Sequence, residues 1–226
     1  EDFSLWIEAR SALARREGYR LPEDSIRRAL DWAGRYLAAE KADWAYPYSR
    51  SEDFAGRAYM TYALGLHSRP QHAEFRKLYA RRDQLSLSAK AWLLKAAAAS
   101  GGEAEAKTLA DELLAQSRVE PRGLHFELSE LDAMPWLHES GVKATAVALQ
   151  ALLEARGGFP GDEKAVRWLV SERKALGRWR TTAENAAGLR AFQDFYRRYE
   201  KEVPDFTAAV RREGESSLLH SERFSG

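Results

Sequence analysis

The carboxylates best placed for acid–base chemistry lie where helices are expected to begin or end. They are Asp53, Glu127, Glu130, Asp132, Glu139 and Glu184. Glycosidases, some of which are helical toroids, need two carboxylates about 5–10 Å apart. Asp53 and Glu184 stand at predicted helix N-termini, where capping already explains an acidic residue, and the other four fall in one irregular stretch. An enzyme acting on carbohydrate is therefore an alternative hypothesis and not the first.

The histidines do not form a metal-binding pattern. None stands in the His-x-x-x-His spacing with which one helix face holds zinc, and the chain has no cysteine. We therefore predict no metal ion, no cofactor and no catalytic residue in this chain. His125 is singled out because it lies in an irregular stretch that joins two helices; ordinary packing in that stretch is the competing interpretation.

The tryptophans raise a second enzymatic alternative. Residues 177–179, Gly-Arg-Trp, resemble a fragment of the Trp-containing repeats of triterpene cyclases, which are also helical toroids. Those enzymes need an Asp-rich acid motif, and neither Asp-x-Asp-Asp nor Asp-Asp-x-x-Asp occurs here. Aromatic packing between helices is the favoured interpretation, and an isoprenoid substrate stays an alternative.

The charge balance argues against two classes of partner. The chain has 35 Lys and Arg against 34 Asp and Glu, a formal net charge of +1. Nucleic acids and anionic membranes require a basic excess gathered on one face. No apolar run approaches the roughly 20 residues of a membrane span. We therefore expect neither nucleic-acid binding nor membrane contact by this segment.

Helical periodicity dominates the sequence, and two kinds of helix alternate. Ala-rich segments that are apolar on most sides fall at 3–17, 54–66, 86–99, 142–155 and 183–199, and strongly one-sided, charged segments fall at 22–39, 70–81, 103–117 and 162–175. A helix that is apolar all round must be buried, whereas a one-sided helix lies at the surface. Alternating inner and outer helices predict a mainly α fold, an α/α toroid of helical hairpins.

The number of helices predicts an incomplete toroid. There are about four and a half inner–outer pairs on this pattern, whereas a closed toroid of this type usually has six. After Pro204, residues 206–211 and 217–224 could form two strands, which we expect to pair with strands from elsewhere. The first residue is not Met. We therefore expect a fragment of a longer protein, with a partial toroid over 1–203 and the beginning of a following β-domain over 204–226.

Three segments resemble one protein family. Residues 136–146 (WLHESGVKATA) resemble the entry to a late inner helix in the thioester domain of bacterial alpha-2-macroglobulins. Residues 177–186 (GRWRTTAENA) resemble that family's Gly-x-Trp-x-(Ser/Thr/Asn)-Thr-x-Glu-Asn-Ala segment, and residues 204–208 (PDFTA) resemble the exit into the next β-domain. Their order and spacing also agree, and the similarity covers most of the chain.

The resemblance implies a fragment of a large protease inhibitor that works as a trap. A protease cleaves a bait segment, the molecule collapses around it, and a Cys–Gln thioester, where present, acylates the captured enzyme. The family's Cys-x-Glu-Gln motif is absent from this chain, so the chain would be a structural helical domain and not an enzyme.

The resemblance also implies location, partners and one position of interest. The longer protein would be periplasmic or extracellular, possibly membrane-anchored, and would meet target proteases, while this segment contacts neighbouring domains. In this family the loops at the toroid rim lie near the reactive bond, which makes His125 a rim candidate. A helical interaction scaffold is the remaining alternative.

Overall fold

The structure, a computed structural model, describes Gly18, Arg20 and residues 22–39, 47–128, 139–199, 205–212 and 218–225. The helices in this part are α1 (Glu23–Ala38), α2 (Pro47–Leu66), α3 (His72–Tyr79), α4 (Leu87–Ala99), α5 (Glu103–Leu114), α6 (Gly141–Arg156), α7 (Asp162–Ser171) and α8 (Thr182–Tyr199). The strands are β1 (Ser117–Glu120), β2 (Gly123–Phe126), β3 (Asp205–Arg211) and β4 (Leu218–Ser225). The helix predicted over residues 3–17 lies outside the described residues.

The inner layer is a row of four helices, α2, α4, α6 and α8, each packed on the next. Helices α4 and α6 are buried on nearly every side, as their Ala-rich sequences predict. Small side chains let the helix axes approach closely, and the large leucines Leu93, Leu94, Leu149 and Leu152 fill the space between them. This row contains most of the hydrophobic core.

The outer helices α1, α3, α5 and α7 cover the inner row and bury one face each. In α1 the buried positions are Ile26, Leu30, Ala33 and Leu37, a spacing of three and four residues that follows one side of a helix. Helix α5 packs mainly on α4. Inner and outer helices therefore alternate along the chain, which confirms the predicted incomplete α/α toroid.

Helix α8 departs from the predicted pattern. It packs on α6 as an inner helix, but Leu189 and Tyr196 on its other face are exposed. The expectation that it would be buried on most sides was wrong for that face. The physical reason is its place at the end of the row, since among the described helices only α6 and α7 pack on it substantially.

Two further expectations need correction. The inner helix predicted over residues 54–66 begins earlier, at Pro47, so Asp53 lies within it and not at its N-terminus. Proline fits the first helical turn because its φ is already fixed and the N–H it lacks would have no partner there. The stretch 119–140 was expected to be irregular, but β1 and β2 form an antiparallel hairpin across its beginning.

The inner helices run parallel to one another, which gives the bundle two different rims. Near the beginnings of α4 and α6, Ser88 donates a hydrogen bond to Glu139 over 2.9 Å. Near their ends, the Lys95 ammonium lies 3.1 Å from Glu154. We call the end where α4, α6 and α8 begin the capped rim, because side chains of Ser86, Ser140 and Thr181 accept hydrogen bonds there from helix N–H groups.

The last described element is the antiparallel hairpin of β3 and β4, as the sequence predicted. Phe206 and Phe224 are opposite each other in the register and stack with ring centroids 5.2 Å apart. Both rings remain substantially exposed. A hairpin of two strands is marginally stable in water, so the expectation that further strands complete it stays a prediction.

Among the described residues, no helix has both the length and the apolar character that crossing a membrane requires.

Candidate functional site

A cleft of about 370 Å³ opens between the first and last inner helices, at the rim where these helices end. We call it the axial cleft, and its lining residues are Tyr62, Leu66, Leu153, Glu154, Arg190, Asp194, Arg197 and Arg198. They come from α2, α6 and α8. The volume is in the range of small-molecule sites, and charged side chains line it together with Tyr62 and two leucines.

Two ion pairs fix the charged side chains of this cleft. Glu154 pairs with Lys95 of α4 and also accepts a hydrogen bond of 3.3 Å from the Tyr62 hydroxyl. Arg190 pairs with Asp194 over 3.0 Å, one helical turn further along α8. Lys95 is only 3% exposed in its side chain, and its ammonium lies over the rings of Tyr62 and Trp92. A buried ammonium is thus neutralised by one carboxylate and two aromatic faces.

The cleft shifts the acidity of two of its groups. Burial raises the pKa of the Tyr62 hydroxyl above its ordinary value, and the negative charge of Glu154 acts in the same direction. Burial also raises the pKa of the Asp194 carboxyl, against the opposing effect of Arg190 and Lys95. Burial disfavours the charged form of both groups, so the cleft is a partly dehydrated site at which two carboxylates converge.

The carboxylates that the sequence singled out do not form this site. Glu127 pairs with Arg118, and Glu139 pairs with Lys143 and accepts from Ser88. Glu184 accepts a hydrogen bond of 3.0 Å from the N–H of Thr181, whose hydroxyl accepts one of 3.1 Å from the N–H of Glu184 in return. These two hydrogen bonds form a capping box, so the capping expected at Glu184 is confirmed. Glu130 and Asp132 lie outside the described residues.

Asp53 belongs to a separate buried cluster that joins α1, α2 and α3. It accepts a hydrogen bond of 2.6 Å from Tyr36 and lies 4.0 Å from Arg57. Arg57 also donates to Glu74 over 2.5 Å and to the carbonyl of Leu37 over 2.8 Å. The hydrogen bond to Glu74 raises the pKa of Arg57 and outweighs the opposite effect of burial. Arg57 thus joins two carboxylates and a backbone carbonyl, so the cluster holds two outer helices on an inner one.

His125 lies in β2 on the capped rim, with its ring stacked on Trp168 of α7. The ring centroids are 5.0 Å apart at an angle of 19°. Its Nδ1 atom is buried without a hydrogen-bond partner in the described residues, and the nearest carboxylate, that of Glu120, is 4.0 Å away. The neighbouring Gly123 leaves the backbone no room for a Cβ atom against Trp168. The hairpin is therefore closely packed on α7, and a chemical role for His125 stays a prediction.

The segment around Trp179 is also explained by packing. Its ring is 4% exposed, donates from Nε1 to the carbonyl of Leu169 over 3.0 Å and packs on Phe192. Asn185 holds the backbone of Trp179 from both sides, accepting from its N–H and donating to its carbonyl. A Cβ atom at Gly188 would lie 2.6 Å from the ring. The Trp, Asn and Gly are thus one interlocked structural unit.

Metal binding has no obvious place in the described part of the chain, since no three His, Asp or Glu side chains there are grouped as ligands. The axial cleft could not be predicted from sequence motifs. Tyr62, Lys95, Glu154 and Asp194 are spread over more than half of the chain. The one local signal was the Arg190–Asp194 spacing of four residues in a helix that was otherwise expected to be buried.

Four parallel inner helices covered by outer helices define this structure as a segment of an α/α toroid. In solved structures the same fold occurs in bacterial alpha-2-macroglobulins. The Salmonella protein reacted with methylamine superposes with a TM-score of 0.63 at 21% identity, over 97% of this chain and 13% of that one. A native Escherichia coli structure spanning domain MG7 to the C-terminus gives 0.63 at 16% identity, over 98% of this chain and 32% of that one.

A third structure agrees with these two. Escherichia coli alpha-2-macroglobulin activated by porcine elastase gives a TM-score of 0.61 at 20% identity, covering 97% of this chain and 18% of that one. The resemblance to bacterial alpha-2-macroglobulins is thus confirmed in the fold, although residues 136–138 and 204 of the segments that carry it lie outside the described residues. The chain spans between about an eighth and a third of the length of these proteins. No family model matches the sequence. No curated protein matches it either.

Proposed function

We propose that this chain is a helical domain segment of a protease-trapping protein of the alpha-2-macroglobulin kind. The observation that carries the proposal is agreement of the fold over almost the whole chain with several such proteins. One of those proteins is described as activated by porcine elastase. Target proteases would meet the longer protein, and this segment would contribute structure and not catalysis.

In this proposal the two parts of the chain have different neighbours. Residues 1–203 form the partial toroid, and residues 204–226 begin a β-domain whose further strands cover the exposed rings of Phe206 and Phe224. The longer protein works in the periplasm or outside the cell. Neither nucleic acid nor membrane is a partner of this segment. The buried cations Arg57 and Lys95 support a structural role, because each already pairs with a carboxylate within the chain.

Inhibition of elastase by the longer protein tests the proposal. A trap leaves the captured protease active on a small chromogenic peptide but blocks its action on a large protein substrate. We expect this split for the longer protein and no effect on either substrate for residues 1–226 alone. Equal activity of elastase on both substrates in the presence of the longer protein would refute the trap.

Reaction with methylamine provides a second test, because it shows which part of the longer protein contains a reactive thioester. One of the similar proteins was crystallised after reaction with methylamine. If the longer protein has a Cys–Gln thioester, labelled methylamine will be incorporated outside residues 1–226, because the amine adds to the glutamine carbonyl of the Cys-x-Glu-Gln motif, releasing the thiol, and this chain lacks that motif. Label found within residues 1–226 would contradict the proposed role of this segment.

A second candidate function rests on the axial cleft. Glu154 and Asp194 are two carboxylates in one cleft, and the pKa of Asp194 is raised by burial, as in a general acid of a glycosidase. Against it, Lys95 and Arg190 already pair with these carboxylates. Incubation with α- and β-linked oligosaccharides separates the two functions: the trap proposal predicts no cleavage, and cleavage that disappears in Asp194→Asn would favour the enzyme.

A further inference from the structure

A run of basic side chains connects the end of α7 to the beginning of α8 on the capped rim. The four residues are Arg173, Lys174, Arg178 and Arg180, and all of them are exposed. Residues 173–180 contain no acidic residue. We call residues 173–180 the basic loop. Within the described part of the chain, none of its four cations pairs with a carboxylate, and the one contact of their charged groups is between Arg173 and the carbonyl of Val170.

Some other exposed cations of this chain pair with a carboxylate. Arg27 and Arg69 each have a carboxylate oxygen within 2.6–2.8 Å. Since the whole chain is nearly neutral, four unpaired cations in eight consecutive residues are a local excess. Such an excess produces a positive potential that attracts an acidic surface and fixes its orientation.

The tip of the basic loop presents an apolar side chain to solvent. Leu176 is 87% exposed and has a φ of +69°, in the left-handed region that residues other than glycine rarely adopt. Two backbone hydrogen bonds close the loop around it, from Lys174 to the carbonyl of Arg178 and from Gly177 to the carbonyl of Lys174. A strained backbone that exposes leucine is unfavourable for the isolated chain, which suggests a use in binding.

The base of the basic loop is fixed to the core. Trp179 is buried, and Asn185 holds its backbone from both sides. A loop that is closed at its tip and anchored at its base loses little conformational entropy when it binds. Leu176 and the four cations are therefore presented in one arrangement before any partner arrives.

We infer that the basic loop is a docking surface for an acidic segment of another protein domain, with Leu176 packing against apolar side chains of that segment. The partner's Asp and Glu side chains would face Arg173, Lys174, Arg178 and Arg180. A protein fits better than a membrane because a single leucine at the tip of a tight loop offers little area for insertion into lipid. A protein also fits better than a single-stranded nucleic acid, because the loop's aromatic residue is buried and cannot stack on bases.

Binding of defined peptides to the chain tests this inference. The probe is a blocked, fluorescently labelled peptide rich in glutamate with one central pair of phenylalanines, and its partner peptide has serines in their place. We expect fluorescence anisotropy to show binding of the first peptide that weakens about tenfold between about 50 and 300 mM salt, because exposed charges are screened. The serine peptide should bind more weakly.

Variants locate the binding. Lys174→Glu should weaken it about fivefold through lost charge complementarity, and Leu176→Gly about tenfold through loss of the apolar contact. Lys77→Glu is the matched control, because Lys77 is exposed on α3 and carries the same charge; it should leave binding unchanged. Thermal melts followed by circular dichroism check that all three variants remain folded.

Three results would overturn the inference. They are equal weakening by Lys77→Glu and Lys174→Glu, binding that is indifferent to Leu176→Gly, and no peptide binding at low salt. Vesicles of phosphatidylglycerol and phosphatidylcholine provide the competing arm. Retention of the chain on these vesicles, lost in Lys174→Glu and without any peptide binding, would assign the loop to a lipid surface instead.

Discussion

The two rims of the inner-helix row are built in different ways. At the capped rim, helix N–H groups are satisfied by side chains next to them in sequence, such as Ser86, Ser140 and Thr181. At the opposite rim, Tyr62 and Lys95 reach Glu154, on a helix far along the chain. The helix caps of the first rim are thus local contacts, whereas the Lys95–Glu154 pair of the second rim joins distant residues. We expect the effects of substitutions on the free energy of unfolding to be additive among the helix caps of the first rim. At the second rim, substitutions of Lys95 and Glu154 should be coupled and therefore not additive.

Of the substitutions that test this comparison, loss of the Trp179 side chain at the capped rim should lower the free energy of unfolding most. Trp179→Ala removes a buried ring together with its hydrogen bond to Leu169 and its packing on Phe192. We expect a decrease of about 3–5 kcal/mol in the free energy of unfolding, measured by urea denaturation. Trp32→Ala on the half-exposed face of α1 is the control, and a similar loss in both variants would contradict the capped rim's dependence on Trp179.

Breaking the ion pair between Glu154 and Lys95 at the opposite rim should cause the next largest loss of stability. Glu154→Ala leaves the buried ammonium of Lys95 without its carboxylate, so we expect a loss of about 2 kcal/mol. The double variant Lys95→Met with Glu154→Leu should return close to the stability of the original chain, because no unpaired charge remains. If the two substitutions proved additive in urea denaturation, the opposite rim would not depend on coupled long-range contacts.

The capping box should contribute less and act locally. Thr181→Ala removes the hydroxyl that accepts from Glu184 N–H, and we expect a loss of about 1 kcal/mol. Thr182→Ala is the neighbouring control, since its side chain makes no hydrogen bond within the described residues. If Thr181→Ala and Thr182→Ala had the same free energy of unfolding, the cap would not stabilise α8.

Relief of the strained loop should raise stability. Leu176→Gly allows the left-handed conformation without a Cβ penalty, so we expect a gain of up to about 1 kcal/mol. Leu176→Ala keeps that penalty and should show no gain. The glycine variant should thus be more stable yet bind its acidic partner less well, and a loss of stability in Leu176→Gly would show that the leucine packs within the chain.

Titration of Asp194 should change the free energy of unfolding least among these predictions. Because burial raises its pKa above the unfolded value, its contribution to stability is complete below the unfolded carboxyl pKa of about 4 and is lost as the pH rises through the folded value. Asp194→Asn should therefore have a flatter profile of unfolding free energy across mildly acidic pH. Parallel profiles for the two proteins would contradict the raised pKa.

The sequence predicted the parts of the fold that depend on neighbouring residues. The one-sided helix at residues 22–39 and the capping expected at Glu184 are local patterns, and the structure contains both. The hairpin at residues 117–126 was missed because each strand has four residues, too few for a clear alternation. The axial cleft was missed because its charged groups become neighbours only after four inner helices pack together, and nothing in their spacing along the chain shows this.

Hydrogen exchange followed by mass spectrometry tests the central claim most directly, because the layered arrangement predicts a ranking of the helices. The amides of α4 and α6, which are buried on nearly every side, should exchange most slowly, and those of the outer helices α1 and α7 should exchange faster. A result in which α1 and α7 are protected as strongly as α4 and α6 would contradict the arrangement of inner and outer helices, and with it the toroid.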